Sequence, residues 1–387
     1  MFLTENNIIQ KLNSIYKIAY ADRLKNGYQL SNHWKKFYEN QYLKFSKIEN
    51  IPNFRSDQLL SKGCDDSNKN ASLLDLLGYI NDWELDQEFL TKNISTKNIG
   101  NNNTSKNFLG YYLDYAELVH IKFYLTIRSK IKNKINSICE IGGGFGSLAR
   151  IFLNQFNSKY ILLDLPEANL ISAYYLHLHF RDKKFFLYDD FLKKKEENFI
   201  IDEKCLEEND IFILPPWTLN FFSEKIKIDM FINTYSFMEM KKKTIKEYFD
   251  FIHQHSKIGS YFFNINRYRK DTSGEIINFS DYPYDNDWDC LVSERSPIRY
   301  NMHIMLTERR KENIKKPIKQ KLEELIKEEK RSFSSKEYQR YSNIPIVGKV
   351  EIILRIMART LLIKIFGIKF LNKIGRKLYN INEKNSK

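Results

Sequence analysis

Cysteine, proline and glycine are scarce in this chain of 387 residues, which contains 4, 8 and 14 of them. The cysteines lie far apart, at Cys64, Cys139, Cys205 and Cys290, and no CxxC pair occurs, so the sequence indicates neither a zinc site nor a disulfide scaffold. A reduced, cytoplasmic setting is therefore expected. The sequence also lacks a basic start followed by an apolar run, and no apolar stretch reaches the ~18 residues of a spanning helix. Neither a secretory signal nor a membrane-spanning helix is expected.

Charge is unevenly distributed along the chain. The formal net charge is +14, and residues 312–387 alone contain 19 Lys and Arg against 8 Asp and Glu. The body is therefore nearly neutral, whereas a nucleic-acid enzyme more often carries its basic charge around the active cleft. No nucleic-acid partner is expected. The hydrophobic content of 42% is enough for a sizeable core.

The hydrophobic pattern divides the chain into three parts. Residues 1–107 form a mostly helical accessory region that ends in a polar, asparagine-rich linker, and a helical pattern follows from Tyr111 to Ile131. Residues 108–311 alternate short apolar runs with helical patterns at 146–156, 167–180 and 241–256, which predicts an α/β domain with a mostly parallel, Rossmann-like sheet. The apolar runs 288–292 and 302–306 have no helix between them and predict an antiparallel pair at the sheet edge. Residues 312–387 are predicted to form a basic helical tail.

A glycine cluster between a predicted strand and a predicted helix is the most informative motif. Four of the 14 glycines lie in the segment Glu140-Ile-Gly142-Gly-Gly144-Phe-Gly146. Glycine lets such a turn tighten and lets its backbone approach a ligand closely. A dinucleotide site requires a third glycine where Ser147 stands. The acid followed by GxGxG instead fits S-adenosylmethionine, whose cationic amino group suits Glu140.

Asp164 ends the next apolar run, 22 residues beyond Gly142. An acid at the carboxyl end of the second strand can bond both ribose hydroxyls of a nucleoside. The alternative is an Asp that caps the helix beginning near Pro166. Two segments, 189–191 and 210–217, are alternative candidates for the third strand and for the adenine contacts. The second is preferred because its apolar run is cleaner. In that case Trp217 lies near the pocket, although Trp more often packs in a core.

Three segments together resemble the bacterial sugar O-methyltransferases, a group of class I adenosylmethionine-dependent enzymes. They are the glycine segment, Leu163-Asp-Leu-Pro-Glu167, and Ile232-Asn-Thr-Tyr-Ser-Phe-Met-Glu-Met240. The resemblance covers residues 108–311 and excludes both flanking parts. It implies a seven-stranded sheet and methyl transfer to a sugar hydroxyl, in the biosynthesis of a surface glycan. It carries over no catalytic residues.

The run from Asn233 to Glu239 begins where the fourth strand should end, at the edge of the sheet where ligands bind. Glu239 is the first candidate for the base that activates the acceptor hydroxyl, and its alternative is an acid complementing the dipole of the following helix. Asn233 is expected to contact the cofactor. Tyr235 and Ser236 are expected to shape the acceptor pocket.

Histidine is the commonest general base, and His303 is the second candidate because it lies on a late strand that can border the acceptor pocket. The two His-x-His pairs, 177/179 and 253/255, point apart on their helices and form no metal clamp. His120 is a weaker candidate. No compact carboxylate cluster requires a metal, so none is expected.

Residues 346–380 mix aliphatic residues with Lys and Arg at helical spacing, which predicts a basic amphipathic helix. Such a helix can lie on an anionic membrane surface, here the inner face, or dock on the body or on a second subunit. The functional alternatives to sugar methylation are methylation of another small-molecule oxygen or nitrogen, a nicotinamide-dependent oxidoreductase, and a non-catalytic membrane-associated scaffold.

Overall fold

A computed structural model describes residues 5–39, 47–56, 71–195, 199–271, 273–299 and 301–331 of the chain. The helices in this part are α1 (Glu5–Lys25), α2 (Asn32–Glu39), α3 (Leu73–Asp82), α4 (Gln87–Asn93), α5 (Tyr115–Arg128), α6 (Ser147–Gln155), α7 (Pro166–His179), α8 (Tyr188–Lys195), α9 (Glu203–Glu208), α10 (Lys242–His255) and α11 (Ile318–Arg331). Short 3-10 turns occupy Ile48–Asn53, Pro216–Phe221, Phe237–Glu239 and Phe279–Asp281. None of the described helices is long and apolar enough to cross a membrane.

An eight-stranded sheet forms the centre of the body. Its strands are β3 (Ser137–Ile141), β4 (Lys159–Leu163), β5 (Phe185–Phe186), β6 (Ile211–Leu214), β7 (Ile228–Thr234), β8 (Ser256–Arg267), β11 (Trp288–Arg295) and β12 (Met302–Arg309). They lie in the order β11-β12-β8-β7-β3-β4-β6-β5, and β12 runs antiparallel to both of its neighbours. The other neighbouring pairs are parallel. Two small hairpins lie outside this sheet: β1 (Lys106–Phe108) with β2 (Tyr111–Leu113), and β9 (Arg269–Lys270) with β10 (Ile277–Asn278).

Helices cover both faces of the sheet, because successive side chains of each buried strand point to opposite sides. On β3, Ile138 joins a core that includes α5, α6 and α7, whereas Cys139 and Ile141 join a second core that includes α8, α10 and α11. This arrangement confirms the predicted α/β class, the mostly parallel Rossmann-like sheet and the antiparallel late pair.

The N-terminal helices pack on the body. Tyr174 of α7 donates a hydrogen bond of 2.6 Å to Glu5 at the start of α1, and Arg23 near its end pairs with Glu167 at 3.2 Å, with both side chains buried. α1 therefore lies along α7 and brings the next residues to the edge of the sheet where α7 begins.

Three details differ from the expectations drawn from the sequence. The sheet has an eighth strand, the two-residue β5. The predicted helix from Tyr111 to Ile131 begins only at Tyr115, because the Asp114 side chain caps it by accepting the Glu117 N–H, and Tyr111 belongs to β2. Of the two candidates for the third long strand, Ile211–Leu214 is the strand, and residues 189–191 lie in α8.

The part of the tail that the structure describes forms α11. Ile318, Leu322 and Leu325 of this helix are buried in the second core. The predicted amphipathic helix at 346–380 lies outside the described residues.

Candidate functional site

The glycine loop joins β3 to α6 through residues in left-handed conformations. Gly142, Gly144 and Gly146 have φ values of 75°, 57° and 87°, which side chains with a Cβ rarely adopt. A Cβ at Gly142 would also overlap the Ser236 hydroxyl, which follows β7. The glycines therefore allow the loop to lie directly against the segment after β7.

Asp164 stands at the carboxyl end of β4 and faces this loop. Its Oδ2 accepts the Gly144 N–H at 2.9 Å, and its Oδ1 accepts the Leu165 N–H at 2.7 Å. Burial raises the pKa of the Asp164 carboxyl to about 6, against the pull of these two bonds. The residue therefore remains charged at neutral pH and holds the loop beside the end of β4.

A pocket of about 420 Å³ opens at the carboxyl ends of the parallel strands, where ligands bind in open α/β sheets. The lining comes from the end of β4, the turn after β6, the segment after β7, α10 and the N-terminal region; it includes Leu163, Asp164, Leu165, Pro216, Ser236, Met240, Lys241, Thr244 and Tyr248. Asp164 and Ser236 are thus the sequence-predicted residues that line it.

The N-terminal region contributes a wall of the pocket that the sequence did not indicate. The segment between α1 and α2 lines the pocket with Tyr28, Gln29, Leu30 and Ser31, and α2 adds Trp34. Lys241 Nζ donates a hydrogen bond of 3.0 Å to Gln29 Oε1, and the ring of Tyr28 lies 5.8 Å from that of Trp217. Trp217 therefore lies beside the pocket wall. No local motif marks these residues, because their position depends on how α1 docks on α7.

Glu140 lies beneath the glycine loop and does not line the pocket. Its Oε2 accepts a hydrogen bond of 2.7 Å from the Tyr160 hydroxyl, and a Cβ at Gly143 would stand 2.9 Å from the same oxygen. Burial raises the pKa of the Glu140 carboxyl to about 7. In this position the side chain supports the loop from below.

Asn233 at the end of β7 is completely buried, and its amide is used within the fold. Its Nδ2 donates to the Ile141 carbonyl at 2.8 Å, whereas its Oδ1 accepts from the Phe237 N–H and from Asn266 Nδ2. The Asn266 Oδ1 in turn accepts the Met238 N–H. These bonds shape the turn that carries Tyr235, Ser236 and Glu239, so Asn233 acts on the site through that turn.

Glu239 lies in an ion-pair cluster next to the pocket. Its Oε1 is 2.7 Å from the buried Lys270 ammonium and 3.5 Å from His33 Nε2 on α2. Burial lowers the pKa of Lys270 and of His33. A proton taken up by Glu239 would therefore compete with the Lys270 contact at the same oxygen. Lys270 and His33 were not indicated by the sequence, because they come from β9 and α2.

His303 is placed differently from the expectation for a base. It is 2% exposed, and its Nδ1 and Nε2 lie 3.2 Å from the Tyr268 hydroxyl and 3.0 Å from Ser293 Oγ. Burial lowers its pKa to about 3. Both ring nitrogens are engaged inside the fold and the residue does not line the pocket, so the geometry assigns His303 a structural role.

The remaining candidate histidines lie in helices away from the pocket lining. His177 contacts the Ala173 carbonyl and His255 the Ile226 carbonyl. Burial lowers the pKa of His120 to about 4 and that of His179 to about 3. Within the described residues, no three His, Cys, Asp or Glu side chains converge as metal ligands.

Tyr235 follows β7 with a φ of 61°, a strained conformation for an aromatic residue. Its ring lies 5.8 Å from Phe123 and beneath the Arg299 guanidinium at 5.0 Å. Its hydroxyl is buried and has no hydrogen-bond partner in the described part of the chain. Such strain is often held at functional sites. In the turn after β7, Tyr235 contacts Arg299, whereas Ser236 lines the pocket.

Known proteins resemble this chain at the level of fold. No protein-family model matches the sequence, and no curated protein matches it. The mitomycin 7-O-methyltransferase MmcR is 14% identical over 50% of this chain and 57% of its own, with a TM-score of 0.32. TehB from Haemophilus influenzae is 14% identical over 49% of this chain and 62% of its own, with a TM-score of 0.30. The glycopeptide N-methyltransferase MtfA, solved in complex with S-adenosylmethionine, is 7% identical over 47% of this chain and 84% of its own, with a TM-score of 0.29.

The chain thus spans less than two thirds of the first two of these proteins. At this level of similarity the matches support no conclusion about activity. The evidence on function is the site itself.

Proposed function

We propose that the protein transfers a methyl group from S-adenosylmethionine to a sugar hydroxyl, in the biosynthesis of a surface glycan. The observation that carries the proposal is the hydrogen bond between Asp164, which lines the pocket at the carboxyl end of β4, and the Gly144 N–H of the glycine loop. The proposal that the acceptor is a sugar rests on the resemblance of the segments 163–167 and 232–240 to sugar O-methyltransferases.

The residues present fit adenosylmethionine. Each Asp164 oxygen accepts one main-chain bond, which leaves each a further lone pair for a ribose hydroxyl. The glycine loop has no side chains at Gly142 and Gly144, so its backbone can lie close to a ligand. When bound, this cofactor supplies an electrophilic methyl group on a sulfonium.

The protein's own residues position the acceptor and exclude water. Ser236 offers a hydroxyl at the pocket, and the turn that carries it is held by Asn233 and Asn266. Residues between Tyr28 and Trp34 line one side of the pocket, which limits the access of water from that side. Alignment of the reacting atoms supplies much of the acceleration in such transfers.

Glu239 remains the candidate base for the acceptor hydroxyl. A positioned base contributes roughly 10²–10⁴-fold. To accept the proton of the acceptor hydroxyl, the Glu239 carboxylate must give up part of its contact with Lys270. After Glu239 loses that proton again, Lys270 can pair with the restored carboxylate. A methyl transfer to another oxygen or nitrogen would use the same pocket, and acceptor screening separates these substrates. A scaffold of this fold would not require ligand binding at Asp164.

Calorimetric titration with S-adenosylhomocysteine tests the cofactor, with NADH as the control ligand. Asp164→Asn should weaken binding about tenfold or more, because bonds to a charged group contribute roughly 1.5–3 kcal/mol. Asp182→Asn is the matched control, since Asp182 is exposed beyond the far end of α7. Folded wild type that binds no S-adenosylhomocysteine would reject the methyltransferase proposal, and NADH binding would favour an oxidoreductase.

We also propose a cytoplasmic location, with peripheral attachment to the inner membrane face through residues 346–380. The support is the basic amphipathic pattern of that segment. The same segment could instead mediate contact between two copies of the chain.

A further inference from the structure

The end of helix α1 fixes the position of Tyr28. The helix ends at Lys25, and Gly27 follows with a φ of 65°. The Tyr28 N–H donates to the Arg23 carbonyl at 3.3 Å, which closes the helix end in the manner of a Schellman motif. The direction in which Tyr28 leaves α1 is therefore set by the backbone of the helix end.

A buried ion pair holds this helix end against the body. Arg23 Nη1 lies 3.2 Å from Glu167 Oε1, and Glu167 stands in the first turn of α7, shortly after Asp164. The pair therefore brings the end of α1 to the carboxyl end of β4, where Tyr28 and Asp164 line the same pocket. Burial raises the pKa of the Tyr28 hydroxyl, and the nearby Asp164 charge raises it further. Tyr28 is thus a neutral phenol beside the Asp164 carboxylate.

The Tyr28 hydroxyl has a proton to donate into the pocket. Tyr248 of α10 also lines the pocket, and the hydroxyls of Tyr28 and Tyr248 are hydrogen-bonded to each other. This bond opposes the rise in the pKa of Tyr28 and adds to the rise in that of Tyr248, as expected when Tyr248 donates and Tyr28 accepts. A phenol has a single O–H. Tyr28 therefore keeps its own, which meets no acceptor in the part of the chain that the structure describes.

Packing holds the Tyr28 ring in its orientation. The ring centre lies 5.8 Å from that of Trp217, whose indole N–H donates to the Tyr188 hydroxyl at 3.0 Å. The Tyr188 hydroxyl in turn donates to Asp22 Oδ2 of α1 at 3.1 Å. These contacts lead from Tyr28 back to its own helix, so the ring is fixed before a ligand enters the pocket. A donor that is already in place loses little freedom on binding.

We propose that the Tyr28 hydroxyl donates a hydrogen bond to the adenosyl group of S-adenosylmethionine, so that the N-terminal accessory region supplies a cofactor-binding residue. The inference rests on the proposed function and adds a contact within the same pocket. Asp164 is the proposed partner of the ribose hydroxyls, and Tyr28 stands beside this carboxylate. A ribose hydroxyl that donates to Asp164 can accept from Tyr28 through its oxygen lone pairs.

Calorimetric titration of the full chain with S-adenosylhomocysteine and with methylthioadenosine tests the inference. Methylthioadenosine has the adenosyl group but lacks the amino-acid group. Tyr28→Phe removes only the hydroxyl and should weaken the binding of both ligands about three- to tenfold, because one neutral hydrogen bond is lost. Tyr112→Phe is the matched control, since Tyr112 is also half-buried but lines a different cavity. This control should bind both ligands as the wild type does.

A thermal unfolding midpoint close to that of the wild type shows that each variant is folded. The inference is overturned if Tyr28→Phe binds both ligands as tightly as Tyr112→Phe does. It is also overturned if Tyr28→Phe weakens S-adenosylhomocysteine alone, or if methylthioadenosine does not bind, because the contact then belongs to the amino-acid group. A folded wild type that binds neither ligand rejects the proposed function itself.

Discussion

Asp164 is a buried carboxylate whose hydrogen bonds favour its charged form. It is enclosed enough for burial to raise its pKa to about 6, yet it accepts main-chain bonds from Gly144 and Leu165 that favour the charged form. A residue that only capped α7 would not need to face the glycine loop. The contact between Asp164 and the loop therefore favours a ligand site over a structural cap.

The raised pKa of Asp164 predicts a pH dependence for the cofactor product. Ribose hydroxyls donate to the charged carboxylate, so binding favours the deprotonated form and is strongest above about pH 6. Below that pH, the affinity for S-adenosylhomocysteine should fall by about tenfold for each pH unit, since one proton must be released on binding. Calorimetry between pH 5 and about pH 8 measures the slope.

The variant Asp164→Asn separates this effect from the titration of Glu140, whose pKa is about 7. Its affinity should vary with pH less than that of the wild type. An unchanged slope in this variant would assign the dependence to another group and remove the role of Asp164.

The two candidate bases show how far residue type alone can mislead. His303 has the right chemistry and lies on the right strand, but its ring nitrogens face Tyr268 and Ser293. Glu239 lies beside the pocket, but it shares an oxygen with Lys270. Side-chain direction and pairing partners decide between such candidates, and both depend on the packing of several strands.

Among the elements, the segment between α1 and α2 is the least expected part of the site. It begins after Gly27, which has a φ of 65°, and it meets the body through Gln29 and Asn32, whose N–H donates to the Ser273 carbonyl at 3.1 Å. The buried pair of Arg23 with Glu167 sets where α1 ends. The accessory region is therefore part of the pocket wall.

This placement predicts a fluorescence response. S-adenosylhomocysteine in the pocket should change the emission of Trp34, which lines it. The change seen in the wild type should shrink in Trp34→Phe. It should persist in Trp83→Phe, because Trp83 stacks on Tyr79 away from the pocket, with ring centres 4.8 Å apart. Equal responses from both variants would show that Trp34 does not lie against the bound ligand.

At the scale of the whole molecule, the charge is divided between a nearly neutral body and a basic C-terminal part. The described portion of that part, α11, buries Ile318, Leu322 and Leu325 against the body. The cationic segment 346–380 has the composition of a surface-binding helix. A membrane-attached enzyme would meet acceptors that are anchored in lipid.

Flotation with liposomes tests this attachment. The full chain should float with anionic liposomes at low salt, and less with neutral ones, because lysines and arginines near an anionic surface add about 1 kcal/mol each. Deletion of residues 346–387 should abolish flotation while S-adenosylhomocysteine binding is retained. Equal recovery of the two forms would contradict the membrane proposal and leave docking between copies of the chain to be measured by light scattering.

The local pattern of the chain was sufficient for the longer strands and helices of the central domain, but not for the two-residue β5 or for the helix at Tyr188–Lys195. The alternation of buried runs such as Ser137–Ile141 with helices such as Pro166–His179 is visible in the sequence, because burial on both faces demands continuous apolar runs and amphipathic helices demand a regular period. The glycine loop and Asp164 could also be predicted from the sequence, because each directly follows a strand that the apolar pattern marks.

Long-range packing decided the rest. Tyr28 and Trp34 reach the pocket because α1 lies along α7, more than a hundred residues later in the chain. Glu239 meets Lys270 and His33 because β9 and α2 pack beside the segment after β7. The hydrophobic period of a segment does not predict which distant segments it will contact. Such contacts depend on the shapes of the packed faces and on which charges the fold can bury together.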